Sequence, residues 1–219
     1  MKIITKTFAE PPICKDEILR YAGCTQEDEA TAELLESCLS EVRNKLTYKV
    51  CYIETDVFAE GDICDFGLFE VKSKKLAQNL NGVERAVLFA ATIGIEADRL
   101  IAKYGRLSPS RAFMFQAIGA ERIEALCDEF CDKFMQENAV ALKPRFSPGY
   151  GDLSLDTQKQ VFDILGCSKR IGLYLNESLL MTPSKSVTAF AGITKTQTTE
   201  KKSRCNYCDK SDCAFRRKI

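Results

Sequence analysis

The chain reads as an α+β domain. Short runs rich in β-branched and aromatic residues (48–55, 86–93 and 186–193) are separated by stretches with 3.6-residue apolar periodicity. The two kinds of segment do not alternate strictly, as a doubly wound parallel sheet would require. At 219 residues, with 45% hydrophobic and 28% charged side chains, the chain can bury one sizeable core.

Residues 15–22 form a short helical stretch closed by Gly23. A longer helix follows. Thr25 is its expected cap, acidic residues fill its first turn, and Leu34, Leu35, Cys38, Leu39, Val42 and Leu46 give the buried stripe. Residues 48–55 read as a strand, Gly61-Asp62 as a turn, 66–71 as a second strand and 74–80 as a short helix. Asn81-Gly82 turns the chain into 86–93, whose unbroken apolar run suits a strand buried on both faces. After Gly94, residues 96–104 are helical. Ser108-Pro109 then starts a long helix, with proline in the first turn and Phe115, Ile118, Ile123, Leu126, Phe130 and Phe134 on its buried face, reaching Gln136. A helix over 155–165, the segment 171–175 and a closing strand over 186–193 complete a domain spanning 1–194. The abruptly polar stretch from Thr194 to Arg204 reads as a linker, so 195–219 forms a linker and cysteine-rich tail.

Lysine plus arginine and aspartate plus glutamate number 31 each, so no global field argues for nucleic acid or an anionic membrane surface. Residues 1–8 lack the apolar core of a signal peptide, and no run approaches membrane-spanning length, so a cytoplasmic protein is expected. The eleven cysteines are then expected to be reduced, with Cys38, Cys51, Cys127 and Cys131 as small core residues. Histidine is absent, which removes Ser/His and Cys/His nucleophilic machinery and every His-ligated metal site.

Arg145-Phe146-Ser147-Pro148-Gly149-Tyr150 concentrates binding chemistry in six residues just after the long helix. Pro148 restricts Ser147 to extended conformations, and Gly149 lets the backbone turn or approach a ligand. Arg145 can grip a carboxylate through its fork, and Tyr150 offers a ring face and a hydroxyl. Some thirty residues on comes Met181-Thr182-Pro183-Ser184-Lys185-Ser186-Val187.

These two segments, in this order and at this spacing, resemble the reactivation domain of cobalamin-dependent methionine synthase. There an arginine–x–x–Pro–Gly–Tyr loop holds S-adenosylmethionine, and a Met-x-Pro-x-x-Ser-Val segment follows. The resemblance covers roughly the second half of the chain well and the first half in outline. It implies a mixed or antiparallel twisted sheet with flanking helices. It also implies that Arg145 meets the ligand carboxylate, that Tyr150 lies on the adenine or near the sulfonium, and that Ser147 gives backbone contact. The acid that neutralises the ammonium falls in Glu124-Ala125-Leu126, making Glu124 the candidate, with Glu121 one turn earlier as the alternative. Beyond Val187 the family carries a tyrosine-bearing segment, where this chain turns to its polar linker.

The tail carries a second signal, Cys205-x2-Cys208-x4-Cys213. Three thiolates at this spacing can share zinc or an iron–sulfur cluster, with a fourth ligand from the body (Cys64 or Cys167), a partner or a small molecule. A redox-active Cys-x-x-Cys pair and a tail of free thiols are the alternatives. Lys201, Lys202, Arg204, Arg216, Arg217 and Lys218 flank the cysteines and would balance a thiolate cluster.

The expected function is a stand-alone reactivation subunit of a corrinoid methyltransferase, a module and not a complete enzyme. It would bind S-adenosylmethionine and cap cobalamin held on a partner subunit, with a flavodoxin or ferredoxin as electron donor. A second class of reading is a metal- or iron–sulfur-binding electron-transfer adaptor for a corrinoid system. An ordinary S-adenosylmethionine methyltransferase is disfavoured, because no glycine-rich loop follows the first strong strand.

Overall fold

A computed structural model describes residues 2–24 and 28–195. β1 (Ile4–Phe8), β2 (Tyr48–Asp56), β6 (Arg85–Thr92), β10 (Ser186–Thr194) and β7 (Ala141–Leu142) form one sheet in the order β1-β2-β6-β10-β7. Every neighbouring pair is antiparallel. The expected strands at 48–55, 86–93 and 186–193 are its three central members.

Both faces of this sheet are covered, which explains the unbroken apolar run of β6. Side chains alternate across the pleat. Val50, Tyr52, Val87, Phe89, Ala91, Ala189 and Ala191 pack in one core with α5 (Pro109–Asn138). Cys51, Ile53, Leu88, Ala90 and Phe190 belong to the opposite core, closed by α6 (Thr157–Leu165) and α7 (Cys167–Ile171). Phe130 of α5 sits at the centre of the first core, its ring 4.8 Å from Phe89, 5.2 Å from Tyr52 and 6.4 Å from Phe8. A third cluster joins the first half of α5 to α1 (Lys15–Tyr21), α2 (Glu29–Val42) and α4 (Glu96–Leu107). Cys38, Cys51, Cys127 and Cys131 are buried core residues, as expected.

Three differences from the sequence expectation have local causes. β1 was not anticipated, because its outward residues Thr5 and Thr7 dilute the apolar signal while Phe8 alone is buried. The long second helix starts at Glu29, where the Asp28 carboxylate accepts from the Thr31 amide at 2.7 Å. The expectation of a Thr25 cap is therefore corrected; Thr25 itself lies outside the described residues. The strand expected over 66–71 is instead a meander of β3 (Phe58–Glu60), β4 (Ile63–Asp65) and β5 (Glu70–Lys72). Gly67, at φ 70°, interrupts the run, and its amide donates to Asp65 Oδ1 at 2.7 Å. Phe66 is thereby tucked against Phe69 and Phe190, at centroid distances of 5.2 and 4.9 Å.

Candidate functional site

After β7 the chain runs on along β10 through a single two-way bridge. The Phe146 amide donates to the Phe190 carbonyl and the Phe190 amide to the Phe146 carbonyl, both at 2.8 Å. Neighbouring side chains of an extended chain point to opposite sides. Phe146 accordingly enters the core beneath α6, and Arg145 is delivered to the α5 side.

There Arg145 meets two carboxylates one helical turn apart. Nη2 donates to Glu124 Oε2 at 3.0 Å, and Nη1 lies 2.6 Å from Asp128 Oδ1. The Cys131 sulfur is 3.8 Å from Nη1. The arginine side chain is 9% exposed, against 25% for Glu124 and 58% for Asp128, so a nearly buried cation faces anions that open towards solvent. Burial works against the guanidinium's charge. Its pKa nevertheless lies above the ordinary arginine value, because Cys127, Cys131, Asp128 and Glu124 surround it. Burial also raises both thiols, which favours their protonated form.

The loop beyond Arg145 is held by its own backbone. The Tyr150 amide donates to the Ser147 carbonyl at 3.0 Å, and the Gly149 amide, at φ 84°, donates to Leu153 at 2.9 Å. Pro148 is buried, and the half-exposed Tyr150 ring stands edge-on to Phe146 at 5.3 Å. Asp152 anchors the far end, accepting from the Ser73 hydroxyl at 2.5 Å and the Lys74 and Lys75 amides at 2.9 and 3.2 Å. Of the four expected ligand residues, Arg145 and Glu124 are therefore in direct contact. Ser147 serves a turn through its carbonyl, and Tyr150 packs on Phe146.

The competing acid, Glu121, is committed elsewhere. It is 4% exposed and pairs with Arg122, the largest fully buried side chain of the described residues. Arg122 also donates to the Pro11 and Pro12 carbonyls at 2.6 and 2.7 Å, and Glu121 Oε1 accepts from the Cys14 amide at 3.1 Å. This buried pair fastens residues 11–14 to α5. Sequence reading missed it, and it missed Asp128, although Asp128 stands at the i+4 position from Glu124.

Between the fastened segment and α5 lies an acidic groove of about 380 Å³, lined among others by Cys14, Glu17, Tyr21, Glu124, Asp128 and Asp132. Burial, and then the Glu124 charge, push the Tyr21 phenol up. The 181–187 segment meets α5 nearer its start. β9 (Met181–Thr182) leads into buried Pro183, and the Ser186 hydroxyl is 2.8 Å from both Thr92 Oγ1 and the Pro183 carbonyl. Lys185 lies across Gly119, where an added Cβ would come within 2.9 Å of its Cγ.

Cys205, Cys208 and Cys213 lie outside the described residues. Cys64 and Cys167, expected as possible sources of a fourth ligand alongside a partner or a small molecule, are both fully buried, Cys64 in the second sheet's inner face and Cys167 against Cys51. Among the described residues no group of three or more His, Cys, Asp or Glu is arranged to hold a metal ion, and no helix is long and apolar enough to cross a membrane.

No protein-family model matches the chain. Its structure is similar to a solved one described as the MetH reactivation domain bound to AdoHcy. The TM-score is 0.62 over 88% of this chain and 78% of that one, at 15% sequence identity. The two share a fold: an antiparallel curled sheet with flanking helices, as the sequence resemblance implied.

Proposed function

We propose that this chain binds S-adenosylmethionine and serves as the reactivation module of a corrinoid methyltransferase. The observation that carries the reading is the Arg145–Glu124 couple, held on a fold shared with a domain that binds AdoHcy. The amino-acid end of S-adenosylmethionine is a zwitterion. A nearly buried guanidinium beside a more exposed carboxylate offers complementary charge to both its ends. Tyr150, half-exposed at the loop's outer end, supplies an aromatic surface for the adenosyl part.

In this role the module would cap a partner subunit carrying cobalamin, which would supply the methyl-accepting cobalt after one-electron reduction by a flavodoxin or ferredoxin, with S-adenosylhomocysteine left as the product. The chain's own residues bind and orient the methyl donor, and no protein acid or base takes part, in keeping with a chain that has no histidine.

Titration calorimetry of S-adenosylmethionine and S-adenosylhomocysteine into the full chain tests the binding step, alone and with a corrinoid protein. Saturable binding that is lost in Arg145→Ala, with the far-ultraviolet spectrum retained, is the expected result. No binding to the parent chain under either condition would overturn the reading.

A further inference from the structure

Between Gly149 and Leu153 the chain folds back on itself. The Gly149 amide donates to the Leu153 carbonyl at 2.9 Å, and the Leu153 amide to the Tyr150 carbonyl at 3.1 Å. The second bond closes a four-residue turn, 150–153, whose central pair is Gly151, at φ 62°, and Asp152. These bonds are local. They shape the turn and leave its placement to contacts beyond the loop.

The start of α3 (Lys74–Asn79) supplies that placement. Asp152 Oδ1 accepts from the Ser73 hydroxyl and, at 3.2 Å, from the Lys75 amide, while Oδ2 accepts from the Lys74 amide at 2.9 Å. Ser73 Oγ in turn accepts from the Leu76 amide at 3.0 Å, so Ser73 and Asp152 together meet the amides that open the helix. The Ser73 hydroxyl, with the Lys75 and Lys74 amides behind it, holds the Asp152 carboxyl below its ordinary pKa, and it meets these donors as an anion. Lys75 also lies across the turn: a Cβ at Gly151 would stand 2.8 Å from its Cδ and 3.5 Å from Cζ of Phe146. Gly151 is thus pinched between α3 and the ring on which Tyr150 packs edge-on.

We propose that Asp152 is a positioning residue for the adenosyl end of S-adenosylmethionine: by clamping the 150–153 turn to α3 it fixes the Tyr150 ring where the ligand meets it. The inference rests on the S-adenosylmethionine reading and adds to it a residue that itself touches no ligand. A ring already held in place loses little freedom when the ligand arrives, and affinity rises through that preorganisation. Arg145 is fixed by another device, the Phe146–Phe190 bridge next to it. The two ends of the ligand are therefore placed separately, the amino-acid end from β10 and the adenosyl end from α3.

The test is calorimetry of S-adenosylmethionine on the full chain, in a cycle of Asp152→Ala, Tyr150→Ala and the double variant. Asp152→Ala should weaken binding by about 2–12-fold, the equivalent of the roughly 0.5–1.5 kcal/mol that ordering one side chain costs. In the Tyr150→Ala protein the same substitution should weaken binding no further. Asp152→Asn keeps one acceptor oxygen and should fall between the parent and Asp152→Ala; it replaces Asp152→Ala in the cycle should that variant lose its far-ultraviolet spectrum. An affinity equal to the parent's would overturn the assignment. So would losses that multiply in the double variant, because they mark a disturbance that does not pass through Tyr150. Both outcomes leave the S-adenosylmethionine reading standing, whereas a parent chain that does not bind the ligand overturns that reading and this inference with it.

Discussion

Two glutamates one turn apart on α5 make opposite predictions. Glu124→Gln keeps an acceptor for Arg145 Nη2, now 3.0 Å from Oε2, and Asp128 remains on Nη1, so folding stability changes by less than about 1 kcal/mol. If Glu124 receives the ligand ammonium, the substitution turns an ion pair into an ammonium–amide hydrogen bond. That forfeits about 1–2 kcal/mol, or roughly 5–30-fold in Kd. Glu121→Gln instead strips the anion from a guanidinium with no exposed surface. Leaving such a charge without its partner costs about 3–5 kcal/mol of stability. The assay pairs S-adenosylmethionine calorimetry with urea unfolding on both variants. A Glu124→Gln protein that binds within twofold of the parent refutes the assignment. So does a Glu121→Gln protein that keeps its stability and loses affinity.

Asp128→Asn removes the more exposed competitor for Arg145 and should tighten S-adenosylmethionine binding by up to about fivefold, the equivalent of about 1 kcal/mol for an exposed pair; calorimetry reads it, and weaker binding would place Asp128 among the ligand's partners. Glu41 should set part of the acid limb of stability. Burial alone would raise its pKa, but Lys103, Tyr104 and Arg111 all donate to it and hold it at about 2, below the ordinary 4.5. Because the folded pKa is depressed, the contribution is complete above about pH 4.5 and is lost as pH falls towards 2, amounting to on the order of 2 kcal/mol after solvent screening. Urea unfolding of Glu41→Gln across this window should show a flatter acid limb than the parent. Phe130→Ala, which empties the centre of the α5 core, should cost about 3–5 kcal/mol in the same assay.

What was legible in the sequence follows from how each residue makes its contacts. β6 announced itself because both its faces are buried, and α5 because Ser108-Pro109 marks its start and its aromatic stripe is long. β1 and β7 were not legible. β1 presents one apolar face between threonines, and β7 is two residues long, fixed by its partner β10 more than by its own side chains. At the site, the family resemblance pointed to Arg145 and Glu124 separately, as partners of a ligand's carboxylate and ammonium with Glu121 as the alternative acid, and their contact with each other was not foreseen. The Glu121–Arg122 pair could not be foreseen, because adjacent opposite charges on a helix ordinarily face solvent. What buries Arg122 is the segment carrying Pro11 and Pro12, more than a hundred residues away in sequence. The same pair decides which glutamate is left to face Arg145.

Arg145 is already satisfied before any ligand arrives, and this bears on what kind of site it is. Placing a ligand carboxylate on the guanidinium and an ammonium on Glu124 exchanges internal ion pairs for intermolecular ones, so most of the Coulomb energy is conserved and the net gain in affinity is modest. A ligand carrying only a carboxylate would have to displace Glu124 or Asp128 and part that anion from the guanidinium, near the thiols of Cys127 and Cys131. A ligand carrying only an amine would leave Arg145, at 9% exposure, short of a partner. A zwitterion alone repairs both losses. The couple is therefore suited to discrimination more than to tight binding. The two-way Phe146–Phe190 bridge reinforces this, because it fixes the arginine's backbone to the sheet. The exchange then needs movement of side chains only, Glu124 and Asp128 on the exposed side of the pair, while the cation they share stays in place.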